Sequence, residues 1–152
     1  MRTLTPVTST LPARAYVDPH LYAAERVHVF ARQWQLAAFG TQLREPGDYA
    51  AHEFAGWRVL VVRQDDGTLR AFHNVCRHRA GPLVTENAGH CTNLVCRYHG
   101  WSYDRDGSLR SARDFGTDLD VSEFGLFGVR VEEWRGLVFV NLDPDAAAKN
   151  AS

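Results

Sequence analysis

Two periodicities divide the chain. Leu21, Ala24, Val27, Phe30 and Trp34 recur at helical spacing. Asp18-Pro19 supplies an N-cap and a proline at the first helical position, so a helix is predicted from about Pro19 to Gln33. Ahead of it, residues 1–17 carry Pro6, Pro12 and many Thr and Ser, the pattern of an extended arm.

From Trp34 onward the period is that of strands. Trp34 to Phe39 is the first, ended by Gly40, and Pro46-Gly47-Asp48 is a turn. Tyr49 to Phe54 and Trp57 to Arg63 follow, broken near Gly56. Asp65-Asp66-Gly67 is a hairpin signal, with Thr68 to His73 returning. Gly81-Pro82 and Asn87-Ala88-Gly89 read as turns. Asn93 to Val95 is a short strand, and Trp101 to Tyr103 and Ser108 to Arg110 form a hairpin. Ala112 to Phe124 reads as irregular. Gly128 to Glu133 and Leu137 to Leu142 form the last hairpin, across Trp134-Arg135-Gly136. The fold class is therefore mainly β: an antiparallel β framework preceded by one N-terminal α-helix. The division expected is an arm and helix over 1–35, a domain over 36–144 and a tail over 145–152.

Composition adds mainly exclusions. A net charge of −1 gives no bulk electrostatic reason for nucleic acid or membrane as a partner. No apolar run approaches the roughly 18 residues that a membrane span requires. The N-terminus lacks the apolar core of a signal peptide. Three cysteines make a poor disulfide scaffold, and a cytoplasmic location is expected. His20, His28, His52 and His73 fall in predicted helix or strand and read as ordinary histidines.

The chemistry lies between Cys76 and His99. Cys76-Arg77-His78 and Cys96-Arg97-Tyr98-His99 each pair one thiol with one imidazole, and 17 residues separate His78 from Cys96. Two Cys and two His can hold a [2Fe–2S] cluster, with thiolates on one iron and imidazoles on the other. They can also make a structural zinc site, although zinc sites usually pair like with like. Cys91 is left over and reads as a free thiol.

The stretches "NVCRHRAGPL" and "CRYHGWSYDRDGSL" resemble the Rieske domain of ring-hydroxylating oxygenase large subunits, the group that includes choline and carnitine monooxygenase-like enzymes. The likeness extends upstream through "LPARAYVDPHLYAAERVHVFARQWQLAAFG" and downstream through "GLVFVNLDPD". Arg97 stands where the family most often has proline. The resemblance implies a Rieske fold with a two-loop cluster-binding subdomain. It implies one Rieske-type [2Fe–2S] cluster per chain, held by Cys76, His78, Cys96 and His99, with Arg79, Trp101 and Tyr103 around the ligands. Respiratory Rieske proteins carry a disulfide at the positions of Gly81 and Tyr98, and a serine donor at that of Trp101. Tyr103 matches the tyrosine that bonds a ligand sulfur. A low-potential centre is expected.

The resemblance also implies partners: a reductase or ferredoxin as electron donor, and a mononuclear-iron catalytic domain in the same or another chain. No catalytic side chain is expected here, because no second His/His/carboxylate set follows the motif. The chain reads as the electron-accepting module of a Rieske non-haem iron oxygenase, or alternatively as a free-standing Rieske ferredoxin. Arg77, Arg79 and Arg97 are either a basic rim facing an acidic donor or solvated loop charges.

Overall fold

A computed structural model describes residues 10–116 and 119–148. Among the described residues, ten strands make two antiparallel sheets. They are β1 (Gln35–Phe39), β2 (Asp48–Phe54), β3 (Trp57–Arg63), β4 (Leu69–His73), β5 (Ala88–His90), β6 (Leu94–Val95), β7 (Ser102–Tyr103), β8 (Leu109–Ser111), β9 (Gly128–Trp134) and β10 (Leu137–Asn141). Seven form the larger sheet in the order β1-β10-β9-β4-β3-β2-β5, and β6-β7-β8 form the smaller. The fold is mainly antiparallel β, as the alternation predicts.

Strand β3 joins the two cores. Its period of two sends Leu60 and Val62 into one apolar cluster and Val59 and Val61 into the other. All four are fully buried. The Leu60 cluster also holds Cys76, Cys96, Trp101 and Tyr103, so the candidate ligand loops rest on the core. The second cluster, with Ala38, Val129, Val138 and Val140, knits β1, β9 and β10 to the sheet.

Hairpin turns fix the register. β2 and β3 pair from Phe54 opposite Trp57, leaving Ala55 and Gly56 as a two-residue turn with φ of 47° and 76°. β9 and β10 repeat this across Arg135 and Gly136, with φ of 52° and 77°. Two successive positive φ values match the twist of paired strands.

Two elements differ from expectation. The helix, α1, spans Pro19–His28 and not 19–33, with the Asp18 carboxylate accepting the His20 N–H at 2.9 Å. Beyond Val29 the chain tightens into a 3-10 turn, Phe30–Arg32. The sheet takes over that turn's carbonyls: Gln35 Nε2 donates to Phe30 O and Asn141 Nδ2 to Arg32 O. The helix buries no residue and exposes Leu21, Tyr22 and Val27. Its apolar stripe therefore does not pack on the sheet; Arg26 makes the contact, donating to Ala55 O and lying over the Trp57 ring.

The second difference is β5, where Asn87-Ala88-Gly89 reads as a turn but Ala88–His90 pairs with Asp48–Ala50. Gly89 is required by close approach: a Cβ there would sit 2.7 Å from Tyr49 Oη. Of the arm, residues 1–9 lie outside the described residues, and Ala13–Tyr16 forms a 3-10 turn. The tail residues 149–152 also lie outside them.

Candidate metal centre

The two ligand loops are built alike. In the first, Cys76 N–H donates to Gly81 O at 2.8 Å and Ala80 N–H donates to Cys76 O at 3.0 Å. In the second, Cys96 N–H donates to Trp101 O and Gly100 N–H donates to Cys96 O, both at 2.9 Å. Ala80 and Gly100 occupy the same place in each loop and share a left-handed φ, 56° and 76°. Each loop thus closes on its cysteine and turns its histidine outward. The spacing differs by one residue because the histidines take adjacent places in the two turns.

The four side chains sort by type. Cys76 and Cys96 are each 2% exposed, and their thiols lie within hydrogen-bonding reach of one another. The His78 and His99 rings stand 4.6 Å apart, edge to face, and both are half-buried. Thiols therefore meet at the core and imidazoles at the rim. A pair of thiols and a pair of imidazoles is the donor set of a binuclear cluster, with two ligands per metal.

The surroundings fit an iron–sulfur cluster. His78 Nδ1 is buried with no hydrogen-bond partner among the described residues. Left so, it costs about 1–3 kcal/mol; a metal bond removes that cost. Burial, followed by the neighbouring His99 and Arg79, holds the His78 pKa below its usual value, which favours the neutral ring that ligation requires. Burial pushes the Cys96 thiol up, while the Tyr98 and His99 N–H groups, directed at its sulfur, pull it down. Those amides are placed to support a thiolate once a metal offsets the burial. A Cβ on Gly81 would stand 3.2 Å from Cys96 Sγ, so glycine leaves the sulfur its room.

Tyr103 Oη lies 3.2 Å from Cys76 Sγ and accepts the Arg77 N–H at 3.0 Å. With that lone pair engaged, the phenol proton is free to point at the sulfur. Burial, then the contact with Cys76, raises the Tyr103 pKa strongly, so the phenol keeps its proton. Trp101, 1% exposed, stacks on His78 at 5.0 Å and 10°. Its Nε1 is buried without a partner among the described residues. Arg79 is exposed.

Three contributors were not foreseen. Asn74 is buried; its Oδ1 accepts the Leu83 and Val84 N–H groups and its Nδ2 donates to Val84 O, which ties down the base of the first loop. Arg77 is not a rim charge. Its guanidinium donates to Gly125 O at 2.6 Å and Glu123 O at 3.3 Å and lies 4.1 Å over the Phe127 ring. Phe115 stands edge-on to both His78 and Trp101. Cys91 is half-buried and unpaired, and burial pushes its thiol up.

Fold and site together define a cluster-binding module of two matched loops on an antiparallel core. The chain belongs to the Rieske [2Fe-2S] domain family, whose model matches residues 33–125. That membership sets aside the structural zinc reading. The chain is 37% identical over 141 residues to the carnitine monooxygenase oxygenase subunit of Escherichia coli (strain K12), covering 91% of this chain and 38% of that protein. To the chlorobenzene dioxygenase subunit alpha of Cupriavidus sp. (strain PS12) it is 41% identical over 137 residues, covering 88% and 30%. Among solved structures, a quaternary ammonium Rieske monooxygenase in complex with L-carnitine superposes with a TM-score of 0.83 at 33% identity, over 90% of this chain and 40% of that one. Naphthalene 1,2-dioxygenase with indole in its active site gives 0.83 at 36%, over 88% and 31%. The chain thus spans less than half the length of these relatives. No helix among the described residues is long and apolar enough to cross a membrane.

Proposed function

We propose that Cys76, His78, Cys96 and His99 hold one Rieske [2Fe–2S] cluster, and that this chain is the electron-accepting module of a Rieske non-haem iron oxygenase. The observation that carries the reading is the sorting of thiols to the core and imidazoles to the rim. When bound, such a cluster takes up and returns one electron. The protein's own residues do the rest. Tyr103 directs its O–H at the Cys76 sulfur, where negative charge is greatest. Trp101 and Phe115 exclude water from the His78 ring, and His99 presents its outer edge to a partner. Electrons would enter from a reductase or ferredoxin and leave for a mononuclear-iron catalytic domain in the same or another chain. The exposed apolar face of α1, with Leu21, Tyr22 and Val27, favours a module of a larger assembly over a free carrier.

The test is reductive titration of the purified protein with dithionite, beside iron and sulfide analysis. One electron per chain, with about two irons and two labile sulfides, is expected. A single zinc, or no electron uptake by iron-loaded protein, overturns the reading.

A further inference from the structure

Arg77 stands in sequence between two candidate ligands, Cys76 and His78, and both its main chain and its side chain are held. Its N–H donates to Tyr103 Oη, the hydroxyl that also meets Cys76 Sγ at 3.2 Å. Its guanidinium donates to Gly125 O at 2.6 Å and Glu123 O at 3.3 Å. The same group lies 4.1 Å from the centre of the Phe127 ring and 5.9 Å from that of Phe124. Phe124 in turn meets Trp101 edge-on at 5.8 Å, and Trp101 is the residue stacked on His78. Two carbonyls and two aromatic rings therefore fix this cation beside the candidate site. Arg79 and Arg97, on the same loops, are exposed, whereas Arg77 is half-buried.

A sheltered charge is ordinarily paired with an opposite one. Half-buried Arg63 and Arg105 follow that rule, on Glu133 and Asp65. Half-buried Arg26 does not, but it sits on α1 against Ala55 and Trp57, away from both ligand loops. Arg77 has no ion pair among the described residues either, and it lies at the site. The acids nearest in its surroundings do not serve it: Asp120 accepts from Ser122, and Glu123 is exposed and lends only its main-chain oxygen. The missing negative complement is the one that two thiolates and their metals would supply, and one-electron reduction makes that group one charge more negative. We propose that Arg77 is the fixed counter-charge of this centre, and that its sheltered cation favours the reduced state. The inference rests on the cluster reading above. Arg77 is neither ligand nor reactant. One electron passes from donor to cluster, no bond or proton changes hands, and the guanidinium offsets the added negative charge. Its field is screened by water and salt less than that of exposed Arg79 or Arg97.

The test is a mediated redox titration of cluster-loaded protein, with dithionite as reductant and visible circular dichroism as readout. It is run at low salt and at about 1 M, where the Debye length is about 3 Å. Arg77→Met and Arg77→Gln both remove the charge; the first keeps the apolar stem and the second keeps a donor for the carbonyls. In each, the reduced-to-oxidised ratio at a set potential should fall about tenfold, which is about 59 mV for one electron. That fall should persist at high salt. Arg77→Lys keeps the charge and should stay close to the parent, and Arg79→Met should show a smaller fall that high salt erases. A parent-like ratio in either neutral variant overturns the counter-charge. So does a loss in Arg77→Lys as large as in Arg77→Met, which would make Arg77 a brace, or a fall that salt erases, which would make it a surface charge. Loss of iron from the neutral variants overturns it too, by making Arg77 a residue of cluster assembly. A parent protein that holds no iron or sulfide fails the cluster reading instead, before the variants are compared.

Discussion

The His78 imidazole lies flat against the Trp101 indole, with ring centroids 5.0 Å apart and planes 10° apart. Phe115 and Phe124 meet the indole edge-on, so Trp101 is both a core residue and the wall behind a candidate ligand. Trp101→Ala should lower stability by about 3–5 kcal/mol, because it empties one of the largest fully buried sites. Trp101→Phe keeps an aromatic face on His78 and should lose less. Urea unfolding of the two variants checks the order; equal losses would show that the stack itself contributes nothing.

Gly81 and Tyr98 face each other across the two loops. A Cβ built on Gly81 stands 3.5 Å from Tyr98 Cβ, within the range that disulfide-bonded cysteines occupy. Gly81→Cys/Tyr98→Cys should therefore cross-link under oxidation. The parent potential is expected near the bottom of the Rieske range, roughly −150 mV. The bridge should raise it, by withdrawing charge from the cluster. Mass spectrometry reports the cross-link and protein-film voltammetry the potential. A cross-linked variant with an unchanged or lower potential would contradict the assignment of these two positions.

The three thiols should separate cleanly. Cys76→Ser and Cys96→Ser each remove a buried sulfur from the pair at the core and should abolish visible absorption. Cys91→Ser should leave it intact, since Cys91 lies outside both ligand loops, its N–H donating to Gly47 O at 2.9 Å. Bleaching of the Cys91 variant would reassign the third thiol.

Much of this was legible in the chain and some was not, for physical reasons. The hairpins at Ala55-Gly56 and Arg135-Gly136 follow from local turn chemistry between alternating strands. The paired loops follow from spacing, because Cys76 to Ala80 and Cys96 to Gly100 are each a self-contained turn. Strand β5 was hidden because Gly89 looks like a turn residue, whereas its role is to admit the Tyr49 ring. The end of α1 was hidden because the carbonyls of the 3-10 turn that follows it are claimed by Gln35 and Asn141, and the latter lies at the far end of the chain. Arg77 was misread for the same reason. Its acceptors, Glu123 O and Gly125 O, lie in a segment with no pattern of its own, and no local signal points to them.

The pH profile of stability has a worked sign. The Glu45 N–H and then His90 hold the Asp48 carboxyl below the usual range. Asp66, Asp106 and Asp120 are lowered by the hydroxyls, then the N–H groups, of Thr68, Ser108 and Ser122. Depressed carboxylates stabilise the fold above their unfolded values, near about 4, and cease to as pH falls through the folded ones. Burial depresses His73, so the unfolded chain takes up that proton first as pH drops through about 6.5. Both effects destabilise in acid. The urea midpoint should be flat above about pH 7, sag below 6.5 and fall steeply below 4. A midpoint flat down to pH 4.5 would show that His73 is not held neutral in the fold.

The central claim is that two thiolates and two imidazoles share one binuclear cluster, and pulsed EPR of the dithionite-reduced protein tests it most directly. The account predicts a single unpaired spin coupled to two distinct imidazole nitrogens, both shifted by 15N-histidine labelling and lost in His78→Ala and His99→Ala. A reduced-cluster signal with no histidine nitrogen coupling, or an EPR-silent protein containing zinc, would contradict it.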